Sequence, residues 1–180
     1  MHLAIEEVIS LHWTKRIEEE WTRNVIVKHK ADLNRMQQLA LAMRQAVGEA
    51  DADTAQGWEI QDYEQHLERF SHVEEKDRHV AAAYRLAEDL EDSIGVAMVT
   101  QNLRDFPYFQ FRDTRIKVLS VDDHLTMLLK SEYDLVSDIA EQCRTKLKRP
   151  PLSRDEYWIA LRRLGCAYFS AYLEQPPYRA

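Results

Sequence analysis

The residues of this chain best suited to chemistry are carboxylates in three places: Glu18, Glu19 and Glu20; Glu74, Glu75 and Asp77; and Asp105, with Asn102 beside it. No Gly-rich phosphate loop, nucleophile elbow or HExxH pair occurs in the sequence to compete with them. Acids gathered at one point repel one another, and a hard divalent cation with oxygen ligands is the usual resolution. Each group also has an ordinary reading. Glu18 and Glu20 flank the apolar stripe Trp13, Ile17, Trp21, Val25 on opposite sides while Glu19 points away, so any one of them can be a solvated or ion-paired margin residue. Asp77 can serve simply to cap a helix, and QNLRDF can be a turn held by its own Asx side chains.

The elements that must position these groups are read from periodicity. WTKRIEEEWTRNVIV repeats its apolar residues every four positions and predicts a helix. Asp32 is the expected cap of a second helix with the stripe Leu33, Met36, Leu39, Ala40, Met43 and Val47, ended by Gly48. Residues 48–57 read as a loop, and Ile60, Tyr63, Leu67 and Phe70 suggest another helix. Asp77 opens an alanine-rich helix whose stripe is Val80, Ala83, Tyr84, Ala87 and Leu90. GVAMVT, residues 95–100, reads as a short buried parallel strand, and IKVLS, residues 116–120, as a second, with Ser120 capping VDDHLTMLLK. Helices opened by Ser131 and Ser153 come next, the first stopped by Pro150 and Pro151 and the second running to Gly165, and AYFSAYLEQ closes the series. A helix start at Asp77 and a strand end before Asn102 and Asp105 belong to one αβ unit, which would bring Asp77 and Asp105 to the same sheet edge.

Composition narrows the class. The chain has 180 residues, only four glycines and five prolines, and 31% charged residues, which points to one helix-rich domain with an interior that stands without disulfides. No apolar run approaches a membrane span, and MHLAIEEVIS carries acids where a signal peptide would carry base. Cys143 and Cys166 show no metal or CxxC spacing, so a reducing cytoplasm is the expected location. A net charge of −7 has the wrong sign for gripping nucleic acid through the overall field.

Four blocks, WTKRIEEEWTRNV, DRHVAAA, VTQNLRDFP and PPLSRDEYWIALRRLG, resemble successive parts of a PIN-domain protein of the VapC-like toxin group, in the branch with a helical C-terminal extension. The resemblance covers most of the chain. It implies an α/β fold, a PIN-like three-layer sandwich with a small parallel sheet between helices, at residues 1–120, and a helical extension at 121–180. It further implies a metal-dependent endoribonuclease of toxin-antitoxin type from a prokaryote, which hydrolyses RNA with Mg²⁺ or Mn²⁺ and has a cognate antitoxin protein and a homodimer as expected partners. Matched by position, Glu20, Asp77 and Asp105 are the catalytic carboxylates; Glu20, Asp77, Asn102, Asp105 and Glu74 form the metal set, and Thr100 orients it. The family's N-terminal strand, which ends in a ligating Asp, has no counterpart here, since MHLAIEEVISLHW matches only the helix and short connector after that strand. The chain is therefore expected to be N-terminally truncated in this respect, and the alternative function is a catalytically inactive PIN-derived protein that only binds a partner.

Other residues are assigned smaller parts. His79 is turned about 200° from Asp77 on a helix and reads as a packing or surface residue. Residues Arg144 to Arg149, with Arg154, Arg162 and Arg163, offer a basic patch that is equally an ordinary helix face. Tyr108, Phe109 and Phe111 suit either base stacking or an edge strand.

Overall fold

The computed structural model describes residues 1–47, 60–90, 95–106 and 117–174. These form α1 (His2–Ile5), α2 (Lys15–His29), α3 (Leu33–Val47), a 3-10 helix (Tyr63–Phe70), α4 (Arg78–Leu90), β1 (Met98–Val99), β2 (Val118–Leu119), α5 (Val121–Ser131), α6 (Tyr133–Lys146), α7 (Arg154–Arg163) and α8 (Ala167–Glu174). Among the described residues the protein is mostly helical, with one small parallel sheet made of β1 and β2. Met98 N donates to Lys117 O at 2.8 Å and Thr100 N to Leu119 O at 2.9 Å, the slanted ladder of a parallel pair. The chain divides into two compact units, the first made of residues 1, 3–98 and 105–117 and the second of residues 2, 99–104 and 118–180.

In the first unit, α2 starts where the Thr14 hydroxyl accepts a hydrogen bond from Ile17 N at 3.1 Å, and stops at Lys30, whose φ of 52° breaks the helix. Asp32 caps α3, accepting from Arg35 N at 2.9 Å. The α3 stripe is buried only at Met36 and Ala40; Leu33 and Leu39 face solvent. Ala81, Ala82, Ala83 and Tyr84 are all buried, so α4 is enclosed over more of its circumference than one stripe provides, and small side chains are what allow this. It packs chiefly against the 3-10 helix, which buries His66 and Phe70. The Tyr84 hydroxyl donates to Val96 O at 3.1 Å and accepts from Lys117 N at 3.4 Å, tying α4 to the entries of both strands. The expected run of buried strand is shorter than its sequence: Met98 is buried, but Val99 is exposed.

The second unit is a group of four helices. α5 packs on α6 and α8, and α7 packs on α8, around Leu129, Val136, Ile139, Trp158 and Phe169. Ser120 caps α5 by accepting from Asp123 N at 2.9 Å, and Ser153 with Glu156 forms a reciprocal capping box at α7. Ser131 does not open α6: its hydroxyl bonds back to Leu128 O at 3.0 Å and Glu132 takes the cap position, because the preceding helix runs one residue further than the sequence suggested. Gly165, at φ 89°, ends the α7 turn in a conformation that side-chain-bearing residues rarely adopt. The Asp122 carboxylate is buried on α5 and accepts from Tyr168 N at 2.9 Å and Phe169 N at 2.8 Å, capping α8 across the chain.

His124, on α5, is held below its ordinary value of 6.5 by burial. The native state thus favours the neutral ring, and the unfolded chain takes up the proton first as pH falls. Stability is expected to be full above pH 6.5 and to decline below it until the folded pKa is passed. His124→Gln flattens this slope in urea titrations at successive pH values; an unchanged slope would assign the acid sensitivity elsewhere.

Candidate functional site

Three of the expected acids meet in the first unit, and they meet around a lysine. Glu74 and Asp77 lie in the turn entering α4, where Asp77 N donates to Glu74 O at 2.8 Å, and Asp105 lies in the turn after β1. Lys76 Nζ stands 3.3 Å from Glu74 Oε2, 3.5 Å from Asp77 Oδ2 and 3.5 Å from Asp105 Oδ2. Asp77 and Asp105 are mostly buried, their side chains 18% and 19% exposed, whereas Lys76 is 64% exposed. Burial pushes the Asp77 carboxyl above its ordinary value; the Lys76 ammonium opposes this, and the neighbouring Asp105 and Glu74 charges add to it. The hydrogen bond to Glu74 raises the Lys76 ammonium, reinforced by Asp77 and Asp105. Asp77 Oδ2 is enclosed and accepts no well-directed hydrogen bond.

Glu20 takes different partners. On α2 it ion-pairs with Arg16 one turn earlier at 3.3 Å, and its Oε2 lies 3.5 Å from His79 Nε2. His79 is completely buried, and burial holds its ring below the ordinary value, with the Glu20 carboxylate pulling the other way. Its place is therefore interior, facing a carboxylate, rather than surface. Glu18, on the other margin of the same stripe, meets Arg44 at 3.0 Å and accepts from Trp13 Nε1 at 3.2 Å. Two neighbouring glutamates thus have separate roles: Glu18 joins α2 to α3, and Glu20 joins α2 to the start of α4.

An open depression of about 550 Å³ adjoins the cluster, lined by Arg16, Glu74, Glu75 and Lys76. In the second unit, Thr100 Oγ1 accepts from Asn102 N at 3.0 Å, the small turn expected after the strand. The basic patch is largely engaged: Arg144 and Arg154 both pair with Glu141, at 2.6 and 3.4 Å, and Arg162 pairs with Glu174 at 2.8 Å. Tyr108, Phe109 and Phe111 lie outside the described residues.

The donors at the cluster suit a hard cation in kind, being carboxylate oxygens, but not in arrangement. Mg²⁺ requires near-octahedral oxygens at about 2.0–2.1 Å. Among the described residues no three or more His, Cys, Asp and Glu side chains are set to hold a metal ion. The acids instead stand at ion-pair distance from an ammonium. Lys76, Arg16 and His79 are the partners that sequence reasoning left out. The signal for Lys76 was present, a single cation inside the acidic run EEKD; for His79 there was none, because its pairing depends on how α2 lies against α4.

Residues 121–175 match the family model for the VapC50 C-terminal domain, and these are the residues of α5 to α8. Neither the curated proteins nor the solved structures yielded a match. No described helix is long and apolar enough to cross a membrane.

Proposed function

We propose that this chain is a toxin-antitoxin protein of the VapC type whose N-terminal part acts on RNA as a metal-dependent endoribonuclease. The match of residues 121–175 to the VapC50 C-terminal domain carries the reading. It is supported by the meeting of Glu74, Asp77 and Asp105, acids from segments far apart in sequence, at one cation beside an open depression. Under this reading residues 1–120 are PIN-like, a small parallel sheet between helices, with Mg²⁺ or Mn²⁺ as cofactor. Glu20, Asp77, Asn102, Asp105 and Glu74 are then the proposed ligands and Thr100 the orienting hydroxyl. The rim cations Arg16 and Lys76 suit the phosphates of an RNA substrate. The proposed partners are RNA, a cognate antitoxin and a second copy of the chain. The activity requires the acids to be released from Lys76, since their present arrangement serves an ammonium.

A second reading has its own support. Acids already neutralised within the chain suit a catalytically inactive, PIN-derived protein that only binds a partner. Incubating the purified chain with RNA and Mn²⁺, with an EDTA control, separates the two. Metal-dependent cleavage establishes the nuclease; intact RNA with a folded protein overturns it in favour of the binding-only reading.

A further inference from the structure

We infer that one face of the C-terminal unit, built from α5 and α8, is a self-complementary docking surface for a second copy of this chain, whose α5 lies antiparallel to this one. The inference rests on the second copy among the proposed partners and is independent of the nuclease. Asp123, Thr126, Met127 and Lys130 stand at i, i+3, i+4 and i+7 of α5 and so share one side of the helix. With Tyr168 and Tyr172 of α8 they line an open depression of about 460 Å³. Met127 is 51% exposed and Tyr168 68%, whereas Thr126 is buried and its Oγ1 has no hydrogen-bond partner among the described residues. Lys130 Nζ lies 4.7 Å from the centre of the Tyr172 ring, and Asp123 Oδ2 accepts from the Ser120 hydroxyl at 2.6 Å. Neither charge has an ion-pair partner among the described residues.

The pattern specifies what fits. An occupant must bring a base to Asp123, an acid to Lys130 and an apolar side chain to the space at Thr126, with base and acid two helical turns, about 10 Å, apart. α5 itself carries that set in reverse order. The midpoint between positions 123 and 130 falls between Thr126 and Met127. A twofold axis through it therefore sets Asp123 against the partner's Lys130 and Met127 against the partner's Thr126, and the same contacts recur on the other side of the axis. A projecting thioether then meets a recessed, smaller side chain, and its sulfur is a weak acceptor of the kind the Thr126 hydroxyl lacks. RNA fits this face less well, because Asp123 offsets Lys130 and the chain carries a net charge of −7.

The test is sedimentation velocity of the full chain over a concentration series, with circular dichroism to confirm folding. The parent is expected to dimerise. Asp123→Lys and Lys130→Glu each turn both reciprocal pairs into like charges and should weaken the dimer about tenfold. An equimolar mixture of the two variants restores opposite charges at both contacts, so it should dimerise as the parent does. General damage to the fold would not be repaired by mixing. Met127→Lys, exposed and clear of the Ser120 cap, sets two ammonium groups close to the axis and should also give monomers, which keeps the test open if Asp123→Lys does not fold. A parent still monomeric at about 100 μM overturns the inference. So do folded single variants that dimerise like the parent, or monomeric ones that stay apart when mixed. RNA cleavage is scored separately: a dimer that leaves RNA intact upholds the surface and removes the nuclease, whereas cleavage by a monomer does the reverse.

Discussion

Asp122→Ala is expected to lower the unfolding free energy of the helical C-terminal unit by about 3 kcal/mol. α8 is a short helix, Ala167–Glu174, that begins immediately after the tight turn at Gly165 and Cys166. Its first amides have no partner within the helix, and a helix this short gains little from its own hydrogen bonds. The Asp122 carboxylate satisfies Tyr168 N and Phe169 N together, at 2.9 and 2.8 Å, from a buried position. Alanine leaves both amides unpaired, one of them fully enclosed, and each costs about 1–3 kcal/mol. Phe169, Ser170 and the Ser170 hydroxyl bond to Trp158 O depend on the same helix, so part of the α7–α8 contact goes with it. Urea denaturation followed by circular dichroism measures the loss. Asp122→Asn, which keeps one acceptor oxygen, should fall between the two. A loss below about 0.5 kcal/mol for alanine would mean that water or a shifted α8 replaces the carboxylate.

The second large effect is on activity. Asp77→Asn is expected to reduce metal-dependent RNA cleavage by about 10²–10³-fold, the scale on which removal of one preorganised electrostatic group is felt. Asparagine keeps the size of the side chain and its suitability at a helix start, so the fold is retained. It also removes a charge from a partly buried position where burial already disfavours the ionised form. The melting temperature should accordingly stay near the parent value or rise. Glu75→Gln is the matched control, because Glu75 lies in the same acidic turn but outside the carboxylates that meet Lys76. Cleavage by Asp77→Asn at the parental rate would remove Asp77 from the site, and an equal loss in Glu75→Gln would point to the net charge of the turn instead.

What the sequence made legible was local. The caps at Asp32, Ser120 and Ser153, and the stop at Gly165, all stand where spacing put them, because each is decided within one turn by a side chain or a backbone angle. The convergence of Asp77 and Asp105 was also anticipated from one αβ unit. What failed needed knowledge of neighbours. Leu33 and Leu39 belong to a perfectly periodic stripe yet remain exposed, since periodicity says which face is apolar and not how much of it is covered. His79 is buried, as its reading as a packing residue allowed, but its partner Glu20 sits on a helix far back in the chain, beyond what an angle to Asp77 can show. The local signal of Lys76 is its place as the cation within EEKD, but its tie to Asp105 depends on where the turn after β1 lies.

Tyr84 has a consequence for what the protein can tolerate. One phenolic oxygen holds Val96 O and Lys117 N, so the chain leaves and returns through a neck whose width a single atom sets. The span between those points carries β1 and Asp105, so the same atom sets where both strands begin. A phenylalanine at this position keeps the ring but not the gauge, and both strands register the loss at once.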